Sequence, residues 1–216
     1  MILTRAEASA IEARVAGVEA LTGVEVVAAV VGKSYAYPQL PWKAFALGAS
    51  VAGLVVVLVD ALRPDWANAH AALLDAVAIL GTGAACAMLT VFVPAFARLF
   101  LRTPRRDLEV RRHAESLFVR HRLTNTRERT GVLLLVSLFE RKIEIVPDVG
   151  FHDRVSATEW HSVIARMTPK IRVGRSAEAL QEGLGAIEAL LQAKGFRPRA
   201  DARNELPDRP IVERGP

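Results

Sequence analysis

Two stretches of this chain carry no charged residue at all: Ala44 to Val59, and Ala76 to Ala97. A helix that is apolar on every face has no side to give to water, so these stretches constrain the fold more than any motif does. At about 1.5 Å per residue, a helix over 44–62 reaches roughly 28 Å and one over 76–97 roughly 33 Å, against a hydrocarbon core of about 30 Å. The lengths predict a transmembrane helical hairpin with spans at about 44–62 and 76–97. The competing reading is a pair of buried helices in a soluble bundle. Several features favour the membrane: Trp42 and Trp66 bracket the first span, the connector RPDWANAHAALLD is short, and Lys43 and Arg98 close the open end. Asp60 marks a helix end, since a carboxylate at mid-bilayer costs about 2.5–3.5 kcal/mol on the insertion scale. Gly81 and Gly83, with Ala84, Ala85 and Ala87, offer small residues for close helix approach. Pro94 is expected to bend the second helix near its exit.

Charge sets the expected orientation. Lys33 and Lys43 precede the first span, and Arg98, Arg102, Arg105, Arg106, Arg111 and Arg112 follow the second, whereas Arg63 is the connector's basic residue. The positive-inside rule then puts both termini in the cytoplasm. The exit ARLFLRTPRRDLEVRR suits anionic headgroups, and a topogenic stop signal with no lipid specificity explains it at least as well. Trp42, Lys43, Trp66, Arg98, Arg102, Arg105 and Arg106 are the expected membrane-interface residues. The first twenty residues lack a signal-peptide pattern, because Glu7, Glu12, Arg14 and Glu19 interrupt any apolar core. The chain has 28 basic and 23 acidic residues, a net charge of +5 that is no nucleic-acid signature. A mean hydropathy of +0.24 with 6% aromatics agrees with apolar residues gathered into spans. The single cysteine, Cys86, lies in the second run as a small apolar filler.

The remaining sequence predicts an α/β domain around the hairpin. TRAE at Thr4 to Glu7 is a capping box, and Ile11, Val15, Val18 and Thr22 share a helical face that Gly23 ends. VEVVAAVVG then reads as a buried strand, which one helix cannot bury alone, so its partners must lie beyond the hairpin. Asp107 to Arg122 has helical spacing at Val110, Ala114, Leu117, Phe118 and His121. GVLLLVSLF reads as a central strand and KIEIV as a half-exposed one, joined by a turn at Glu140, Arg141 and Lys142. SATE caps a helix whose face is Trp160, Val163, Ile164, Met167 and Ile171. A last helix from about Ser176 to Lys194 turns Leu180, Leu184, Ile187 and Leu191 inward, with Gly183 and Gly185 for close packing and Gly195 as its end. The expected division is 1–41 as the first part of the domain, 42–106 as the hairpin with its basic exit, 107–196 as the remainder, and 197–216 as a Pro-rich charged tail, extended or disordered.

RERTGVLLLVSLFERKIEIVPDVGF, the Trp160 helix, EGLGAIEALL and the terminal NELPD, in that order, resemble the TPM domain family and most of all its short bacterial membrane-protein branch. That family includes an acid phosphatase of the thylakoid lumen. The resemblance implies a small sheet between helices, interrupted here by the hairpin, in the bacterial plasma membrane. Relatives similar to divalent-metal binders direct attention to Asp148 and Asp153 in PDVGFHD, with Glu140 and Glu144 nearby, as oxygen ligands for Ca²⁺ or Mg²⁺. A turn-forming Asp148 and a solvated or capping Asp153 explain the same residues equally well. His113, His121 and His152 lack the spacing of a zinc site. For nucleophilic catalysis, Ser137 falls in a buried strand and Cys86 in a span. Arg127 and Arg129 suit a phosphate or a lipid headgroup, and surface salt bridging with Glu128 or the headgroups is the commoner role for such residues. The expected function is a membrane-anchored, non-enzymatic module that binds the bilayer and a membrane-associated protein partner, with oligomers allowed. A metal-assisted phosphatase at the membrane surface is the alternative.

Overall fold

The computed structural model describes residues 2–62, 69–198 and 205–215. It contains two compact units, one of Met1–Ala36 with Arg106–Pro216 and one of Tyr37–Arg105.

The first unit is built on a sheet of order β3-β2-β1-β4. Strands β1 (Val26–Val31) and β2 (Val132–Ser137) are parallel and buried along their whole length, because both faces of the sheet are covered. Strand β3 (Lys142–Pro147) returns antiparallel to β2 and alternates, with Ile143 and Ile145 inward. Helices α1 (Arg5–Thr22), α6 (Ala157–Arg172) and α7 (Ser176–Ala193) cover one face, packing on Val26, Ala28, Val30, Val132, Leu134 and Val136. Helix α5 (Thr103–Arg120) covers the other, placing Val110, Ala114, Leu117 and Phe118 on Val27, Ala29, Val31, Leu133 and Leu135. Odd and even strand residues therefore serve different layers, as the pleat requires.

Local signals read from the sequence set the element ends. Thr4 and Ser156 form capping boxes with Glu7 and Glu159. Gly23 and Gly195 take positive φ just past α1 and α7. A Cβ at Gly183 would run into Met167, which is why α7 carries glycine where it meets α6. Gly185 meets only the flexible end of Arg14, so its packing role is weaker. The tail gives more than an extended surface segment: β4 (Ile211–Glu213) pairs in parallel with Ala29–Val31 of β1. Glu213 fixes it to α5 through Arg120 at 3.0 Å, with His113 Nε2 3.3 Å from its other oxygen.

Beside the carboxyl ends of β1 and β2 lies a buried polar knot. Ser34 N–H donates to Glu140 Oε1 at 3.0 Å, the Ser34 and Ser137 hydroxyls are 2.9 Å apart, and the Ser137 hydroxyl donates to Glu140 Oε2. Glu140 is thus more than a turn residue, since it joins the β2–β3 turn to the segment that leaves β1.

The second unit is an antiparallel pair, α2 (Gln39–Leu62) and α3 (Ala69–Phe92), followed by short α4 (Pro94–Leu99). The second apolar helix therefore runs seven residues earlier than the expected start at 76 and stops before 97. Pro94 explains the stop: Val93 is extended at φ −118°, as a residue before proline prefers, and Pro94 starts a new helix instead of bending the old one. Close approach occurs at Gly83, where a Cβ would lie 2.9 Å from the Phe45 ring, and at Gly48, where it would lie 2.8 Å from Cys86 Sγ. Gly81 has nothing within 4 Å, and Ala84 and Ala85 are exposed, so these expected packing residues lie off the seam.

Substituting Glu140 by Ala should cost about 2–4 kcal/mol, because it leaves the Ser34 amide and Ser137 hydroxyl buried without their acceptor. Glu140→Gln should recover part of that loss. Urea denaturation of the purified chain, followed by circular dichroism, reads the order wild type, Gln variant, Ala variant.

Candidate functional site

A cleft of about 1020 Å³ opens at the amino ends of β1 and β2. Its wall comes from the end of α1 (Glu19, Thr22, Gly23), from Glu25 before β1, from Thr126, Arg127, Glu128 and Thr130 before β2, and from tail residues Phe196, Glu205 and Asp208. Open α/β sheets more often bind ligands at the carboxyl ends of their strands. Here the carboxyl ends hold the Ser34–Ser137–Glu140 knot, and the concavity is at the opposite edge.

Carboxylates dominate the floor. Glu25 accepts the backbone N–H groups of Glu205 and Leu206, each at 3.1 Å, and Glu205 accepts the N–H of Arg127 at 3.0 Å. Glu19 accepts the N–H of Val26 at 2.8 Å and shares a hydrogen bond with Asp208. Burial pushes the Glu19 carboxyl from an ordinary 4.5 up to about 8, with Glu25 and Asp208 adding repulsion against the Val26 amide. Burial also raises Glu25, opposed by the two tail amides. Burial and the neighbouring carboxylates thus favour the protonated form of Glu19, in which it donates to Asp208. Arg127, Arg154 and Arg197 line the same cleft. The Arg154 guanidinium lies 3.5 Å from the centroid of the Phe196 ring and donates to the Lys194 carbonyl. The arrangement offers a proton donor, carboxylate acceptors and cations in one concavity.

The sequence-derived acidic pair has other local roles. Asp148 caps the 3₁₀ turn Val149–Phe151 through the N–H of Val149 at 2.8 Å. It also accepts Arg129 Nε at 2.9 Å and Nη2 at 3.3 Å, with only 3% of its side chain exposed. Asp153 is exposed in the turn that follows. Asp148 is thus engaged by a guanidinium and a backbone amide at once. Among the described residues no group of three or more His, Cys, Asp or Glu is placed to hold a metal. Glu144 is half-buried on β3, where burial raises its pKa. Ser137 is fully buried within its knot.

The residues expected at a membrane interface fall as follows. Trp42 is 74% exposed near the start of α2, and Lys43 beside it donates to the Phe100 carbonyl at 3.5 Å. Arg98 lies in α4, Arg102 is exposed between α4 and α5, and Arg105 and Arg106 begin α5, where Arg106 meets Asp107 at 2.9 Å. Trp66 lies outside the described residues.

Sequence reasoning missed Glu19, Glu25, Glu205 and Asp208 as a group. Glu25 and Leu206 stand 181 positions apart, and no local spacing links them. The one available signal was NELPD itself, which recurs in the resemblance without a role attached.

The TPM domain model matches residues 47–190, about two thirds of the chain. This chain belongs to the TPM domain family. The match covers the core from α2 into α7, while Glu19, Glu25, Glu205 and Asp208 stand outside it. No curated protein matches the sequence. The NMR structure of the BA42 protein from the psychrophilic bacterium Bizionia argentinensis is similar, with a TM-score of 0.59 over 98% of this chain and 96% of that one. At 16% identity it shows a shared fold.

The raised Glu19 pKa fixes a pH dependence. Between its unfolded and folded values the fold keeps a proton that the unfolded chain has released, so the stability this proton contributes is complete below the unfolded value and declines as pH rises through about 8. Urea midpoints of the purified protein should fall from about pH 5 to about pH 9, and Glu19→Gln, which cannot ionise, should flatten that fall. Parallel curves for the two proteins would refute the assignment.

Proposed function

We propose that this TPM domain protein is anchored in the bacterial plasma membrane by its α2–α3 hairpin and acts as a protein-interaction or assembly module at the membrane surface, with the domain and both termini cytoplasmic. The observation that carries the membrane part is exposure. Both helices are long and apolar enough to cross a bilayer, yet only 6% of each apolar window is buried within the protein. Val51, Leu54, Leu58, Leu73, Leu74, Val77 and Leu80 are among the large side chains left outward. A core helix of a soluble bundle would have buried such residues, and lipid is the environment in which they carry no penalty. The hairpin is closed by the small residues Gly48 and Gly83, the kind of seam that membrane helices use.

The module reading rests on the cleft. It is concave, mixed in charge and partly apolar at Phe196 and Pro198, and its floor is shaped by backbone amides and carboxylates. Such a surface suits a polar peptide segment of a partner. A second reading, metal-assisted phosphate release, draws on the proton held by Glu19 beside Asp208, with arginines lining the cleft. Loss of Mg²⁺-dependent p-nitrophenyl phosphate hydrolysis in Glu19→Gln would favour it.

Accessibility tests the anchored reading. In membranes holding the native protein, Cys86 should resist an impermeant maleimide until detergent is added. In a Cys86→Ala background, Ser9→Cys should label in inverted inner-membrane vesicles and not in right-side-out ones. Equal labelling of Cys86 with and without detergent would overturn the span, and the reverse pattern for Ser9→Cys would overturn the sidedness.

A further inference from the structure

The hairpin unit is electrically lopsided. Phe45 lies against Gly83 and Gly53 against Ile79, so the first turns of α2 stand beside the last turns of α3. No Asp or Glu occurs in 37–59 or in 76–105, so every formal charge of the hairpin unit at this end is positive: Lys43, Arg98, Arg102 and Arg105. Asp60 and Asp75 belong to the connector end. Aromatic and apolar side chains accompany the basic ones, with Trp42 74%, Phe92 73% and Leu99 77% exposed. Two local features keep the charges at this level. Pro94 ends α3 and starts α4, so Arg98 and Arg102 follow a break in the apolar helix instead of continuing it. Lys43 donates to the Phe100 carbonyl at 3.5 Å, which ties its ammonium to the segment that carries the arginines.

We propose that this end of the hairpin, through Lys43, Arg98 and Arg102 beside Trp42, is a docking surface for the headgroups of anionic phospholipids. The proposal rests on the membrane-spanning reading above and adds the class of lipid. An indole ring settles at headgroup depth, a guanidinium pairs with phosphate oxygens through a planar fork, and basic residues at that depth gain from the negative potential of acidic lipid. A zwitterionic headgroup offers the phosphate but no net charge, so the local excess of basic residues distinguishes the two. The connector end, with Asp60 and Asp75, has the opposite sign and no such preference.

The test uses the full chain in phosphatidylcholine vesicles carrying spin-labelled phosphatidylglycerol or spin-labelled phosphatidylcholine at trace level. The fraction of each probe immobilised by the protein gives their relative association. Wild type should favour phosphatidylglycerol by about fivefold or more at low salt, and the ratio should move towards one at about 1 M salt. Lys43→Gln/Arg98→Gln/Arg102→Gln should bring the low-salt ratio close to one, while Asp60→Asn/Asp75→Asn should leave it as in wild type. A wild-type ratio of one, or an unchanged ratio in the triple variant, would overturn the proposal. If the triple variant fails to float with the vesicles, Arg102→Gln alone, at an exposed position between helices, should still lower the ratio measurably. Flotation of wild type with pure phosphatidylcholine vesicles separates the two ideas: floating with a ratio of one removes the lipid preference only, and failure to float removes the spanning reading and this proposal together.

Discussion

The fold depends on the parallel pairing of β1 with β2. Val26 to Val31 are buried on both faces and stand in register with Val132 to Ser137. A parallel pair cannot be closed by a tight turn, and it needs a crossover that lays a helix over the sheet. Helix α5 is that crossover, which is why its apolar stripe at Val110, Ala114, Leu117 and Phe118 faces the odd-numbered residues of β1 and β2. Once the chain must travel out and back between two strands, lengthening the excursion costs little, because closure entropy grows only with the logarithm of length. The α2–α3 hairpin occupies that tolerant position. It forms a compact unit of its own and leaves the register of the sheet untouched.

Much of this was readable before the structure, where the physics is local. The faces of α1, α6 and α7, both capping boxes, and the glycines ending α1 and α7 follow from helical period and dihedral freedom. The contrast between a fully buried β2 and an alternating β3 follows from where each sits in the sheet. The misreadings have equally physical origins. Hydropathy gives no reason to end the second apolar run before Ala97, and Pro94 reads from the sequence as a bend; whether a proline bends a helix or ends it depends on whether a partner can satisfy the freed carbonyls. Gly48 went unnoticed because a small residue matters only against what it touches, here Cys86. Strand β4 is three residues long in a charged, Pro-rich context, and it exists because the edge of β1 is there to receive it.

The candidate site shows the limit more sharply. Asp148 and Asp153 stood out because acidic residues five apart in a loop look like ligands, yet one of them anchors Arg129 and a turn. The groups that do converge, Glu19, Glu25, Glu205 and Asp208, come from the two ends of the chain, and the tail itself brings them together. Carboxylates gathered in one place repel, so their coexistence requires compensation. Backbone amides supply part of it: Val26 donates to Glu19, and Glu205 and Leu206 donate to Glu25. The proton on Glu19 supplies another part, since burial lifts its pKa to about 8 and turns a repulsion with Asp208 into a hydrogen bond. The carboxylate cluster that shapes the cleft is therefore also what holds the tail in place. The segment it holds leads directly into β4, which covers the outer edge of β1, so the state of the cleft and the closure of the sheet are linked through one short stretch of chain.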